Sequence, residues 1–127
     1  MPFQVLEVAV ELVVALRAPV AAIAARDADL AKQLRRAAAS VPLNIGEGNQ
    51  RCGGDRIHHF RIAAGSAAET STALRVAQAW GYAEADSLEA ALALCDRVRA
   101  MLWRLTHQWA SRCRDKRAAA TFPRLTA

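Results

Sequence analysis

Glycine is scarce in this chain, with six in 127 residues, and no run alternates β-branched with polar residues between turn signals. Strands therefore have no candidate segment. Cysteine is scarce too: Cys52, Cys95 and Cys113 are an odd number and lie far apart, with none of the short spacings of a zinc knuckle or a redox motif. That usage suits reduced thiols in a cytoplasmic protein. Only three histidines occur, His58, His59 and His107. A paired-metal bundle needs a glutamate from each of two helices and Glu-x-x-His from each of the other two; the nearest approach, Asp55-x-x-His58, occurs once. Gly46, Gly48, Gly53 and Gly54 follow no strand and lack the lysine of a nucleotide loop. Ser40 and Ser66 fall in mid-helix, where a hydroxyl ordinarily bonds back to a carbonyl one turn earlier, which argues against a Ser-His-acid hydrolase. No basic leader precedes Phe3 and Val5, and the apolar run from Val8 to Ala25 is broken by Glu11, Arg17 and Pro19, too costly a set for a membrane span. The expectation is a chain with no catalytic residue, metal, cofactor or membrane segment.

What is present is helical. Hydrophobic residues make up 54%, rich in alanine and leucine, and the length fits one all-α domain that can gain further burial by oligomerising. The central stretch is Gln33 to Arg51. At 100° per residue Leu30, Leu34, Ala38, Val41 and Ile45 share one side, while Gln33, Arg36, Ser40, Asn44, Glu47 and Arg51 gather on the other. Pro42 interrupts the backbone ladder there, a defect costing ~3 kcal/mol unless the helix kinks or its neighbours compensate. Leu43 is an apolar residue on the otherwise polar side.

In chain order, a first helix runs from Phe3 to about Pro19 and can resume through Ala25. Its apolar arc covers well over half the circumference, more than a monomeric bundle buries, so a subunit interface is expected. Asp27 or Asp29 can cap a second helix ending near Gly48. The break Cys52-Gly53-Gly54 follows, with Asp55 as the next cap and a third helix over about Arg56 to Trp80. Gly65, in a run of small residues, is expected where another helix backbone approaches closely. Gly81-Tyr82 closes that helix, and Asp86 with Glu89 resembles a capping box opening the fourth. There Leu88, Ala91, Cys95, Val98, Leu102, Leu105 and Trp109 form a seam of bundle type, with Arg97 and Arg104 opposite it and Trp103 well off it. These segments make an antiparallel, up-down four-helix bundle over residues 1–113, with residues 114–127 as a basic, frayed tail.

The formal charge is +5, almost all of the surplus being arginine, which forks onto phosphates and carboxylates. From Arg97 onward eight basic residues face the single acid Asp115. Arg35, Arg36, Arg51, Arg56 and Arg61, together with Arg97 and Arg104, are the candidate contacts to nucleic acid. A solvated helix face with a basic tail has the same composition. Under that alternative the chain is a protein-protein interaction module with no nucleic-acid role.

The motifs Gln33-Leu34-Arg35-Arg36-Ala37, Ser40-Val41-Pro42-Leu43-Asn44-Ile45-Gly46-Glu47-Gly48 with Arg51, and Gly65-Ser66-x-x-Glu69 resemble those of a known helical family. It is the four-helix-bundle family that includes proteins encoded in intervening sequences of large-subunit ribosomal RNA genes. The chain is also similar to the accessory variability determinant of diversity-generating retroelements. The resemblance implies a cyclic pentamer and, for the retroelement branch, a basic oligomer that binds nucleic acid and a reverse transcriptase. It implies no catalysis. Gln33, Ser40, Pro42, Asn44, Glu47, Gly65, Ser66 and Glu69 are then structural or interface residues.

Overall fold

The computed structural model describes the backbone of residues 4–125 and the side chains of residues 4–108. The chain forms α1 (Gln4–Ala15), α2 (Arg17–Ala24), α3 (Ala28–Asn49), α4 (Gly53–Ala79) and α5 (Ala85–Leu125), with no strand among the described residues. Leu16 is the only residue between α1 and α2, so the two together make the first leg of a four-helix bundle. The break falls three residues before Pro19, which has no amide hydrogen for the Ala15 carbonyl. The Leu16 amide is shared there between the carbonyls of Leu12 (3.0 Å) and Val13 (3.2 Å). Short turns at residues 25–27, 50–52 and 80–84 reverse the chain, giving the expected antiparallel, up-down order.

Local chemistry explains most boundaries. Asp27 caps α3, its Oδ1 accepting from the Leu30 amide at 3.0 Å. α3 runs unbroken through Pro42. Three expected caps and contacts differ. The residue capping α4 is Cys52, with no side-chain bond to the helix, and Gly53 makes the turn at φ +63°, a left-handed value that glycine adopts without strain. Asp55 lies within the first turn, paired with Arg51 instead of capping. α5 opens at Ala85, so Asp86 sits in its first turn, where a carboxylate meets the positive end of the helix dipole. The backbone of α5 continues through Leu125 with no break at residue 113. The side chains of the basic segment beyond it, and of Trp109 and Cys113, lie outside the described residues, as does the start of the first helix at Phe3.

Gly65 is corrected most sharply. It is exposed, and a Cβ there would meet nothing within 4 Å among the described residues, so no close helix approach occurs at it. The close approach is at Gly48, where a Cβ would stand 2.6 and 2.7 Å from the Phe60 ring and 3.3 Å from the Arg56 carbonyl. Phe60 is 3% exposed, so its ring has nowhere to retreat.

The core is two stacked layers. One joins Leu12, Leu16, Ile23, Leu34, Leu74, Leu88 and Cys95; the other joins Val5, Val8, Val41, Ile45, Phe60, Val98 and Leu102 around the turn at residues 50–52. Each fully buried leucine or isoleucine contributes roughly 1.5–3 kcal/mol. Burial raises the Cys95 thiol to about 11, so it remains neutral inside the bundle. Outside, Val10, Val13 and Val14 remain exposed, in keeping with the excess apolar arc of the first leg, as does Leu43 of α3 at 67%.

Candidate functional site

The polar stripe of α3 faces α4, and its centre is a closed set of hydrogen bonds. Asn44 Nδ2 donates to the Ser40 carbonyl at 2.9 Å and to Ser40 Oγ at 3.0 Å. From α4, Ser66 Oγ donates to Ser40 Oγ at 2.7 Å, and His59 Nδ1 meets Asn44 Oδ1 at 3.1 Å. With Nδ2 acting as donor, Asn44 Oδ1 can only accept, so His59 carries its proton on Nδ1. Buried Thr70 extends the set by donating to the Ser66 carbonyl at 2.8 Å. No buried side-chain nitrogen or oxygen among the described residues lacks a partner. Such a network fixes the registry of two helices, each bond contributing about 0.5–1.5 kcal/mol. It does not align a nucleophile: the histidine bonds the asparagine and neither serine.

Beside the network an open groove of about 470 Å³ is lined by Gln33, Arg36, Ala37, Ser40, Ser66 and Glu69. Five of the eight motif residues read from the sequence therefore meet here: Gln33, Ser40, Asn44, Ser66 and Glu69. Pro42 and Glu47 lie elsewhere on α3, and Gly65 lies on the far side of α4. His59 was not singled out in the sequence. Its partner is fifteen positions earlier across a turn, and only the register of α3 against α4 reveals the pair.

The seven candidate arginines divide by what they already hold. Arg51 Nη1 donates to Asp55 at 2.8 Å and its Nε to Glu47 at 3.3 Å, which holds the Asp55 carboxyl below its ordinary range. Arg56 Nε donates to the Gly48 carbonyl at 3.0 Å and Nη2 to the Asn49 carbonyl at 2.8 Å, so it caps the negative end of α3. Arg35, Arg36, Arg61, Arg97 and Arg104 are exposed and enter no ion pair among the described residues. Arg35 edges an apolar groove against Val13, Val20 and Ala39; Arg97 and Arg104 stand opposite the buried seam of α5. No group of three metal-ligating side chains occurs among the described residues, and no described helix is long and apolar enough to cross a membrane.

Comparison with known proteins follows the same lines. The family model for the 23S rRNA-intervening sequence protein matches residues 2–104. A similar solved structure is that of a protein with unknown function from the S23 ribosomal protein family of Bacteroides thetaiotaomicron. Its TM-score is 0.72 at 21% identity, covering 80% of this chain and 97% of that one, a likeness of fold. No curated protein gives a significant match.

Proposed function

The chain belongs to the 23S rRNA-intervening sequence protein family, and from that premise we propose a non-catalytic, oligomeric helical scaffold of the cytoplasm that binds nucleic acid through arginine-rich surfaces. The supporting observation is that Arg35, Arg36, Arg61, Arg97 and Arg104 hold exposed guanidiniums without ion pairs among the described residues. Their charge is available to phosphates at no cost in broken internal bonds. The family name ties its members to ribosomal RNA, which makes RNA the favoured polyanion. Exposed Val10, Val13, Val14 and Leu43 support self-association, and a closed ring, with a pentamer favoured by the family resemblance, covers such surfaces without leaving a free edge. Repeating the arginines around a ring makes weak contacts multivalent. Ser40, Asn44, His59 and Ser66 are structural, since their polar groups bond one another.

The test is purification followed by light scattering and nuclease treatment. The expected particle is a homo-oligomer carrying nuclease-sensitive absorbance at low salt. A nucleic-acid-free protein with no RNA affinity at low salt would favour the other reading, a protein-protein interaction module with a solubilising charge.

A further inference from the structure

Trp103 is an indole that the bundle leaves outside. It is 60% exposed, and it lines a groove of about 530 Å³ between α4 and α5 with Asp96, Arg99, Ala100, Ala64, Gly65 and Ala68. Its ring is held in place. His107 stacks against it at a centroid distance of 3.8 Å and an interplanar angle of 23°, and the His107 Nδ1–H donates to the Trp103 carbonyl at 2.8 Å. One face of the indole is covered by a fixed imidazole, and the side chain opens onto the groove. The far wall is unusually low, because space beside Gly65 is empty for 4 Å around an added Cβ. A rigid aromatic platform facing a low wall accommodates a flat ring.

The charges fit a ring that carries phosphates. Arg99 lies one turn N-terminal of Trp103 on α5, and exposed Arg61 lies one turn N-terminal of Gly65 on α4. The two helices are antiparallel, so these arginines stand toward opposite ends of the groove. Asp96 is the acid that shares the lining. Its position three residues before Arg99, on one helical face, puts it toward the end of the groove away from Arg61. By contrast Trp80, 68% exposed, is stacked on Tyr82 at 15°, with Arg26 over the tyrosine ring at 5.7 Å.

We infer that the α4/α5 groove is a stacking site for an unpaired base of single-stranded nucleic acid, with Trp103 as the platform and Arg99 and Arg61 taking the flanking phosphates. This rests on the nucleic-acid reading above and narrows it from any polyanion to a single strand, since a paired base keeps its faces inside the duplex.

The test measures fluorescence anisotropy of a labelled single-stranded oligouridylate and of a duplex RNA of equal length, with the full chain and with Trp103→Ala, Trp103→Phe and Trp80→Ala. Single strands bind more tightly than duplex at matched salt. Trp103→Ala weakens single-strand binding about tenfold with the salt slope and duplex affinity unchanged, Trp103→Phe retains most of the affinity, and Trp80→Ala is neutral. Equal effects of Trp103→Ala and Trp80→Ala, or equal affinity for duplex, overturn the stacking site while leaving the proposed function standing. A fall in light-scattering mass for Trp103→Ala overturns it as well, because the indole then belongs to a contact between copies. No RNA binding by the parent overturns both.

Discussion

The α3/α4 junction and the outer face of α5 are opposite kinds of polar surface. At the junction Ser40, Asn44, His59 and Ser66 satisfy one another, Arg56 closes the end of α3, and Arg51 is shared by two carboxylates. On α5, Arg97 and Arg104 reach solvent with no ion pair among the described residues, and Trp103 shows 60% of its surface. The difference separates recognisability from availability. Ser40, Asn44 and Ser66, at the centre of the family motifs, are occupied with holding two helices in register. Apart from Arg35 and Arg36, which lie inside a family motif, those free to meet a partner lie where the sequence has only a general helical pattern.

The largest way to sharpen the contrast is at Gly48. Replacing it with alanine puts a methyl group against the buried Phe60 ring, and overpacking of this kind costs roughly 1–3 kcal/mol. Thermal unfolding should show a clear loss of stability, and an unchanged midpoint would mean that the junction is looser than described. Next is Asn44→Ala, which removes two bonds to Ser40 and one to His59. A cost of about 1–3 kcal/mol is expected from the partners left unsatisfied, with RNA affinity unaltered in molecules that remain folded. Loss of affinity in the folded variant would place the network at the binding surface and erase the distinction.

The two glycines also show how far sequence reading reaches. Helical periodicity exposed the bundle, because Leu34, Val41, Ile45, Leu88, Cys95, Val98 and Leu102 recur on the faces that become buried. Gly48 and Gly65 look alike in one dimension: both are helical glycines flanked by family motifs. Which of them meets a neighbour depends on the register of α3 against α4, a long-range property that periodicity does not carry. The same register pairs Asn44 with His59 and sends Arg56 back to the end of α3. The arginines opposite the α5 seam were legible because exposure on one helix follows from its own pattern. Whether each is already paired was not.

Gly65→Ala is the smallest of the expected stability effects and has the opposite sign. The position is helical and open, so alanine should stabilise by up to ~1 kcal/mol through helix propensity. Destabilisation with a smaller oligomer would show that a second copy packs there.

The direct test of the whole account is the salt dependence of single-stranded RNA binding by the parent and by Arg97→Ala/Arg104→Ala. Affinity of the parent should fall linearly in log-log form, with a slope of about −0.7 per phosphate contact. The double variant should bind more weakly with a slope shallower by roughly 1.4, while its unfolding midpoint and light-scattering mass stay at the parent values. Identical slopes and affinities for the two proteins, or no binding by the parent at low salt, would contradict the claim that the open arginines of α5 face nucleic acid.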